Sequence, residues 1–193
     1  HVTYEPCLYE AIPQPVDPPK HGYALHLASR EPHKRTAWLI RQWVEEGARN
    51  PALPALHVVG SLPEDVEQLA SSSALVERLP FLDDDALRSQ FSSARALILP
   101  SEIEGFGLPA IEAYYLGTPV CYTRGTSIEE VLEPVTARGG FSLDEPSSLF
   151  AALDDVSRIP PQDIHDCGLK LREIYAASSV AERMMTVFAA LSR

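Results

Sequence analysis

Five short apolar runs, at residues 23–28, 55–59, 76–81, 96–100 and 119–122, alternate with stretches whose apolar residues recur at helical spacing, at 35–47, 62–71, 86–94 and 109–116. This alternation predicts βαβ units and a parallel sheet covered by helices on both faces. Runs that are continuous rather than alternating suit strands buried on both sides. The expected fold class is α/β, with a doubly wound, Rossmann-like parallel sheet. Beyond residue 145 the pattern is helical and ends in residues 180–191. The first 22 residues hold Pro6, Pro13, Pro15, Pro18 and Pro19, lack periodicity, and read as a linker or lead-in segment. One domain over residues 23–193 follows from this. Ligands of such sheets sit outside the carboxyl ends of the strands. The loops after Ala28, Val59, Phe81, Pro100 and Tyr122 are therefore the places to look for chemistry.

The loop after Pro100 says most. It runs Ser101-Glu102-Ile103-Glu104-Gly105-Phe106-Gly107 and opens a helix. Pro109 suits the first turn of that helix, where a missing N–H costs nothing. Gly117 suits the position just past its end. Gly105 and Gly107 let backbone approach a ligand closely. A helix N-terminus presents free N–H groups and the positive end of its dipole to an anion. Glu104 lies in the loop and Glu112 eight residues later, in the first turn or so of the helix. Neither contacts a phosphate favourably, but a carboxylate accepts strong, charge-assisted hydrogen bonds from sugar hydroxyls. An anion cradle flanked by two carboxylates suggests a ligand with a phosphate part and a hydroxyl-rich part, such as a nucleotide sugar.

The string from Glu104 through Gly105-Phe106-Gly107-Leu108-Pro109-Ala110-Ile111 to Glu112 and Ala113, followed by Gly117-Thr118-Pro119-Val120, resembles the Glu–seven residues–Glu signature of family-4 retaining glycosyltransferases. The resemblance implies the C-terminal, nucleotide-sugar-binding half of a GT-B glycosyltransferase, and it covers roughly residues 23–193. It implies that Glu104 contacts the donor sugar and Glu112 the ribose. Backbone amides of Gly105, Phe106, Gly107 and Leu108 would approach the sugar and diphosphate. Ala28-Ser29-Arg30-Glu31-Pro32-His33-Lys34 resembles the family's loop after the first strand of this domain. There a Lys and usually an Arg grip the diphosphate, which implies Lys34 and, beside the usual Arg position at Ser29, Arg30. Strands ending at Gly60 and around Arg78 to Leu82 resemble those that approach the base. Ala28 stands where a Gly is common.

The implied activity is transfer of a sugar from a nucleoside-diphosphate sugar to an acceptor hydroxyl with retention at the anomeric carbon. Lys34, Arg30 and the helix N-terminus would stabilise charge on the leaving diphosphate. No metal and no cofactor beyond the donor substrate is expected. The acceptor-binding N-terminal domain is expected to be missing from this chain, leaving it inactive alone. Glu104 is expected to act on the sugar and to leave affinity for the bare diphosphate nearly intact. A non-catalytic nucleotide-sugar-binding module and an epimerase of the same two-domain fold remain the alternatives.

Composition narrows this further. The chain has 193 residues, 45% hydrophobic and 22% charged, which suits a single domain with a sizeable core. The net charge of -11 argues against nucleic acid, and means any anionic ligand is held by a local cluster. Three cysteines, Cys7, Cys121 and Cys167, resemble neither a disulfide framework nor a zinc site. They fit a reducing, cytoplasmic setting. No apolar run reaches membrane-span length, and peripheral membrane association of the full-length protein is left open. Gly105 to Ala110 also matches a dinucleotide fingerprint, but four residues separate it from its strand and it falls on the fourth strand. Asp83-Asp84-Asp85 is better read as a helix cap than as a metal motif. Trp38 and Trp43 read as helix packing. Met184 and Met185 lie on a terminal amphipathic helix, either core or a dock for the missing domain.

Overall fold

The computed structural model describes residues 22–191, so all but the last residue of the expected 1–22 linker, including Cys7, lies outside the described residues. Six strands form one sheet: β1 (Tyr23–Leu27), β2 (Ala55–Val59), β3 (Val76–Leu79), β4 (Leu97–Leu99), β5 (Val120–Thr123) and β6 (Gly140–Phe141). Their order is β3-β2-β1-β4-β5-β6, and every pairing is parallel. The helices are α1 (Thr36–Gly47), α2 (Glu64–Ser71), α3 (Asp84–Ser93), α4 (Leu108–Tyr115), α5 (Ser127–Leu132), α6 (Pro146–Val156), α7 (Pro161–Tyr175) and α8 (Ala177–Leu191). This is the doubly wound arrangement. The chain builds outward from β1 to β3, crosses back, and builds outward again from β4. The order therefore reverses between β1 and β4, where ligands of such folds bind.

Period-two burial sorts the strand residues into two cores. Tyr23, Leu25, Leu97, Leu99, Val120 and Tyr122 pack under α3, α4, α5 and α7. Ala24, Leu56, Val58, Ala96, Ile98 and Cys121 pack under α1, α2 and α6. Trp43 is fully buried and its Nε1 donates to the Pro54 carbonyl at 2.9 Å, while Trp38 stacks near Phe141. Both tryptophans serve helix packing. Asp83 caps α3, accepting from the Ala86 N–H at 2.8 Å.

The differences from the sequence pattern are local. β6 has two residues and α5 six, too few to show a period. The strand expected over 76–81 stops at Leu79, before Pro80, and Phe81 is left 91% exposed. α1 begins at Thr36 rather than 35. A 3-10 turn, Pro32–Lys34, precedes it and Arg35 sits in the left-handed region at φ 53. On α8, Met184, Met185, Val187 and Phe188 are exposed, so this helix face is not core.

Candidate functional site

β1 and β4 end side by side, and their two loops meet. From the β1–α1 loop, Lys34 Nζ reaches both carboxylate oxygens of Glu104 in the β4–α4 loop, each at 2.9 Å. The pair is largely sheltered, with the Lys34 side chain 29% and the Glu104 side chain 10% exposed. Beside it Arg35 pairs with Glu102, and the Glu102 N–H donates to the His33 carbonyl at 2.8 Å. On its other side Ser127, opening α5, donates through Oγ to the Glu104 carbonyl at 3.0 Å. The acidic loop is thus clamped between the β1–α1 loop and α5.

α4 starts where its sequence says. Gly107 is the N-cap with φ +94, and a Cβ there would meet Ile128 Cγ1 of α5 at 2.8 Å. Both its conformation and its packing require glycine. Gly117 ends the helix at φ +74. The anion cradle is narrower than expected from the sequence, because Pro109 has no N–H and the Ala110 N–H is taken by the Gly107 carbonyl at 2.9 Å. Among residues 108–110 that leaves the Leu108 amide. Gly105 is exposed, and a Cβ would meet nothing within 4 Å. The half-buried Phe106 ring packs edge-on to Tyr175 of α7, with ring centroids 5.4 Å apart. Leu108 is half-buried against the same core. Glu112 is half-buried and is the fifth residue of α4, at the end of its first turn, as expected.

The remaining candidates lie to either side. Arg30 is exposed and forms no ion pair among the described residues. It lines a pocket of about 330 Å³ with Ser29, Arg35, Trp38 and Arg41, apart from the Lys34–Glu104 contact. Gly60 ends β2 at φ +114, and its missing Cβ allows the Ala28 carbonyl close by. Arg78, on edge strand β3, pairs with Glu67 of α2 at 2.8 Å, and both are nearly half exposed. The structure brings Lys34 and Glu104 together. Arg30 lines its own pocket and Arg78 pairs with Glu67, so neither joins that contact.

Two contributors were missed. α5 carries a sequence signal, Thr126-Ser127-Ile128-Glu129, the pattern of a capping box. In the fold Glu129 Oε2 accepts from the Gly125 N–H at 2.6 Å. His26 in β1 is 2% exposed. Its Nδ1 donates to the Ile98 carbonyl at 2.9 Å, and its Nε2 accepts from the Thr36 hydroxyl at 2.9 Å. A histidine within an apolar run gives no pattern that points to such partners. Burial, aided by the Lys34 cation and opposed by the bond to Ile98, pushes its pKa down to about 4.

Comparison with known proteins places this arrangement. The glycosyl transferases group 1 family matches residues 21–158. O-antigen chain mannosyltransferase B of Escherichia coli is 30% identical over 119 residues, 58% of this chain and 31% of that protein. An MMP alpha-(1->4)-mannosyltransferase of Mycolicibacterium hassiacum is 30% identical over 127 residues, 60% of this chain and 29% of that one. The chain thus corresponds to about a third of the length of these curated relatives. Anabaena HepE, solved with UDP and glucose, superposes with a TM-score of 0.71 at 14% identity, covering 89% of this chain and 49% of HepE. That likeness shows the fold, a GT-B Rossmann-like half. No helix of the described residues is long and apolar enough to cross a membrane. With the family matched over all six strands and over both loops that meet at Lys34 and Glu104, the chain belongs to the glycosyl transferases group 1 family.

Proposed function

We propose that this chain is the donor-binding domain of a retaining glycosyltransferase that moves a sugar from a nucleoside-diphosphate sugar to an acceptor hydroxyl. The observation that carries the reading is the contact of Lys34 with Glu104 across the carboxyl ends of β1 and β4. One cation and one carboxylate stand together where a diphosphate and a sugar would adjoin. The mannosyltransferase names of two relatives and the UDP held by HepE agree with a nucleotide-sugar donor.

In this reading the bond between the anomeric carbon and the diphosphate oxygen breaks and an acceptor oxygen bonds to that carbon on the same face. The acceptor proton passes to a phosphate oxygen. Lys34 stabilises the charge that grows on the diphosphate, with the Leu108 amide at the start of α4. Glu104 orients the sugar and Glu112 the ribose. The backbone from Gly105 to Leu108 lets the donor lie close. Arg30 supplies a second cation by turning from its pocket. Gly60 and Arg78 border the base. The reaction runs in a cleft completed by an N-terminal acceptor domain, within a cytoplasmic protein that makes polysaccharide. Residues 1–22 serve as a linker or lead-in segment to this domain.

The test is transfer of radiolabelled sugar from UDP-, GDP-, ADP- and dTDP-sugars by the protein with its acceptor domain, with the product anomer read by NMR. One donor is expected to give a retained linkage, and these 193 residues alone to give no turnover. Inversion would overturn the retaining reading. Robust turnover by the chain alone would overturn its role as one half of a cleft. Epimerised or hydrolysed donor with no acceptor product would point to a different reaction.

A further inference from the structure

A histidine at the centre of this sheet needs a reason. His26 lies between Leu25 and Leu27 in β1, and β1 and β4 are the two strands that flank the switch point. An apolar side chain would fill this space, and a buried polar group is costly unless both its nitrogens are partnered. Both are. The Ile98 carbonyl can only accept, so Nδ1 carries a proton, and burial disfavours a second proton that would charge the ring. Nε2 then accepts, so the Thr36 hydroxyl must donate to it. The Thr36 oxygen in turn accepts from the Ser29 N–H at 3.2 Å. Direction is fixed at every link: Ser29 to Thr36, Thr36 to His26, His26 to Ile98.

The chain of bonds spans the segment that presents Lys34. Ser29 and Thr36 bracket the β1–α1 loop, and Ile98 lies in the strand that leads to the Glu104 loop. Between Lys34 and Thr36 stands Arg35, at φ 53 the one non-glycine residue with positive φ among those described. Such a conformation persists where the surroundings over-determine it. Thr36, 4% exposed, supplies the buried anchor on one side of the kink, and the Arg35–Glu102 pair supplies an exposed one.

We infer that His26, acting through Thr36, is a positioning residue for Lys34, holding the β1–α1 loop against β4 so that the ammonium group faces the diphosphate. The inference rests on the donor-binding reading of Lys34. His26 itself touches no ligand. Its burial keeps it neutral at working pH, which preserves Nε2 as an acceptor.

The experiment is a double-mutant cycle on the protein, read by calorimetric titration with UDP and with GDP. Thr36→Val removes the hydroxyl with little change of shape, and Thr36→Ser keeps it. Thr36→Val is expected to weaken diphosphate binding about fivefold, and Thr36→Ser to bind within about twofold of wild type. In a Lys34→Ala background Thr36→Val should change nothing further, because the residue it positions is gone. His26→Asn, which loses the Nε2 acceptor, should behave like Thr36→Val. Circular dichroism confirms that each variant folds. If Thr36→Val has no effect, or an equal effect in both backgrounds, the positioning role is overturned while the donor reading stands. If Lys34→Ala itself leaves UDP and GDP affinity unchanged, the donor reading fails and the positioning role falls with it.

Discussion

Lys34 and Glu104 hold each other across the β1–α1 and β4–α4 loops. The sequence led us to expect independent roles, with Glu104 indifferent to the bare diphosphate. The contact changes that expectation: both carboxylate oxygens compete with a diphosphate for the same ammonium group. Glu104→Gln should therefore strengthen nucleoside-diphosphate binding about two- to fivefold, the scale of a partly exposed ion pair. It should also reduce the extra affinity that the sugar contributes. Calorimetry with UDP and UDP-glucose, and with GDP and GDP-mannose, reads both; weaker diphosphate binding would contradict the competition. His26 makes a separate prediction. Its ordinary pKa of 6.5 is lowered to about 4 in the folded chain. Its contribution to stability is therefore full above pH 6.5 and is lost as pH falls toward 4, to a limit of about 3 kcal/mol. An NMR titration of the imidazole should show a midpoint near 4, and a midpoint near 6.5 would mean that the ring is not buried as described.

At the scale of elements, α4 and its loop separate two uses of glycine. Gly107 combines φ +94 with a Cβ position 2.8 Å from Ile128 Cγ1, so Gly107→Ala should cost about 1–3 kcal/mol and lower the melting temperature. Gly105 has open space around it. Gly105→Ala should leave stability within about 0.5 kcal/mol yet weaken donor binding, because a methyl group would stand where the ligand meets backbone. Loss of stability without loss of binding at Gly105 would mean that its role is structural. The long elements were legible because their periods were. The five longer strands and the helices α1 to α4 arise within a few residues of where the apolar pattern put them. The two-residue β6 and six-residue α5 were not, since neither is long enough to repeat its period. α5 matters to the site, because its Ser127 holds the Glu104 loop. Its capping pattern was visible, but no apolar run drew attention to it.

At the scale of the whole molecule, the reversal of strand order between β1 and β4 is what unites the site. Lys34 and Glu104 lie 70 residues apart in sequence and meet because their strands are neighbours. Each could be named from its own loop. The contact between them could not, because spacing along a chain carries no register between strands. Nor did the sequence show that Arg30 and Arg78 would lie away from that contact, since side-chain direction at an exposed loop or edge strand depends on partners such as Glu67. The most direct test of the central claim is a calorimetric titration of the protein and of Lys34→Ala with a nucleoside, its diphosphate and its diphosphate sugar. Lys34→Ala should weaken the diphosphate and the diphosphate sugar about 10- to 100-fold, the scale of a charge-assisted contact, and leave the nucleoside unchanged. Equal affinities of the two proteins for all three ligands would contradict a donor site at Lys34 and return the residue to an ordinary surface ion pair.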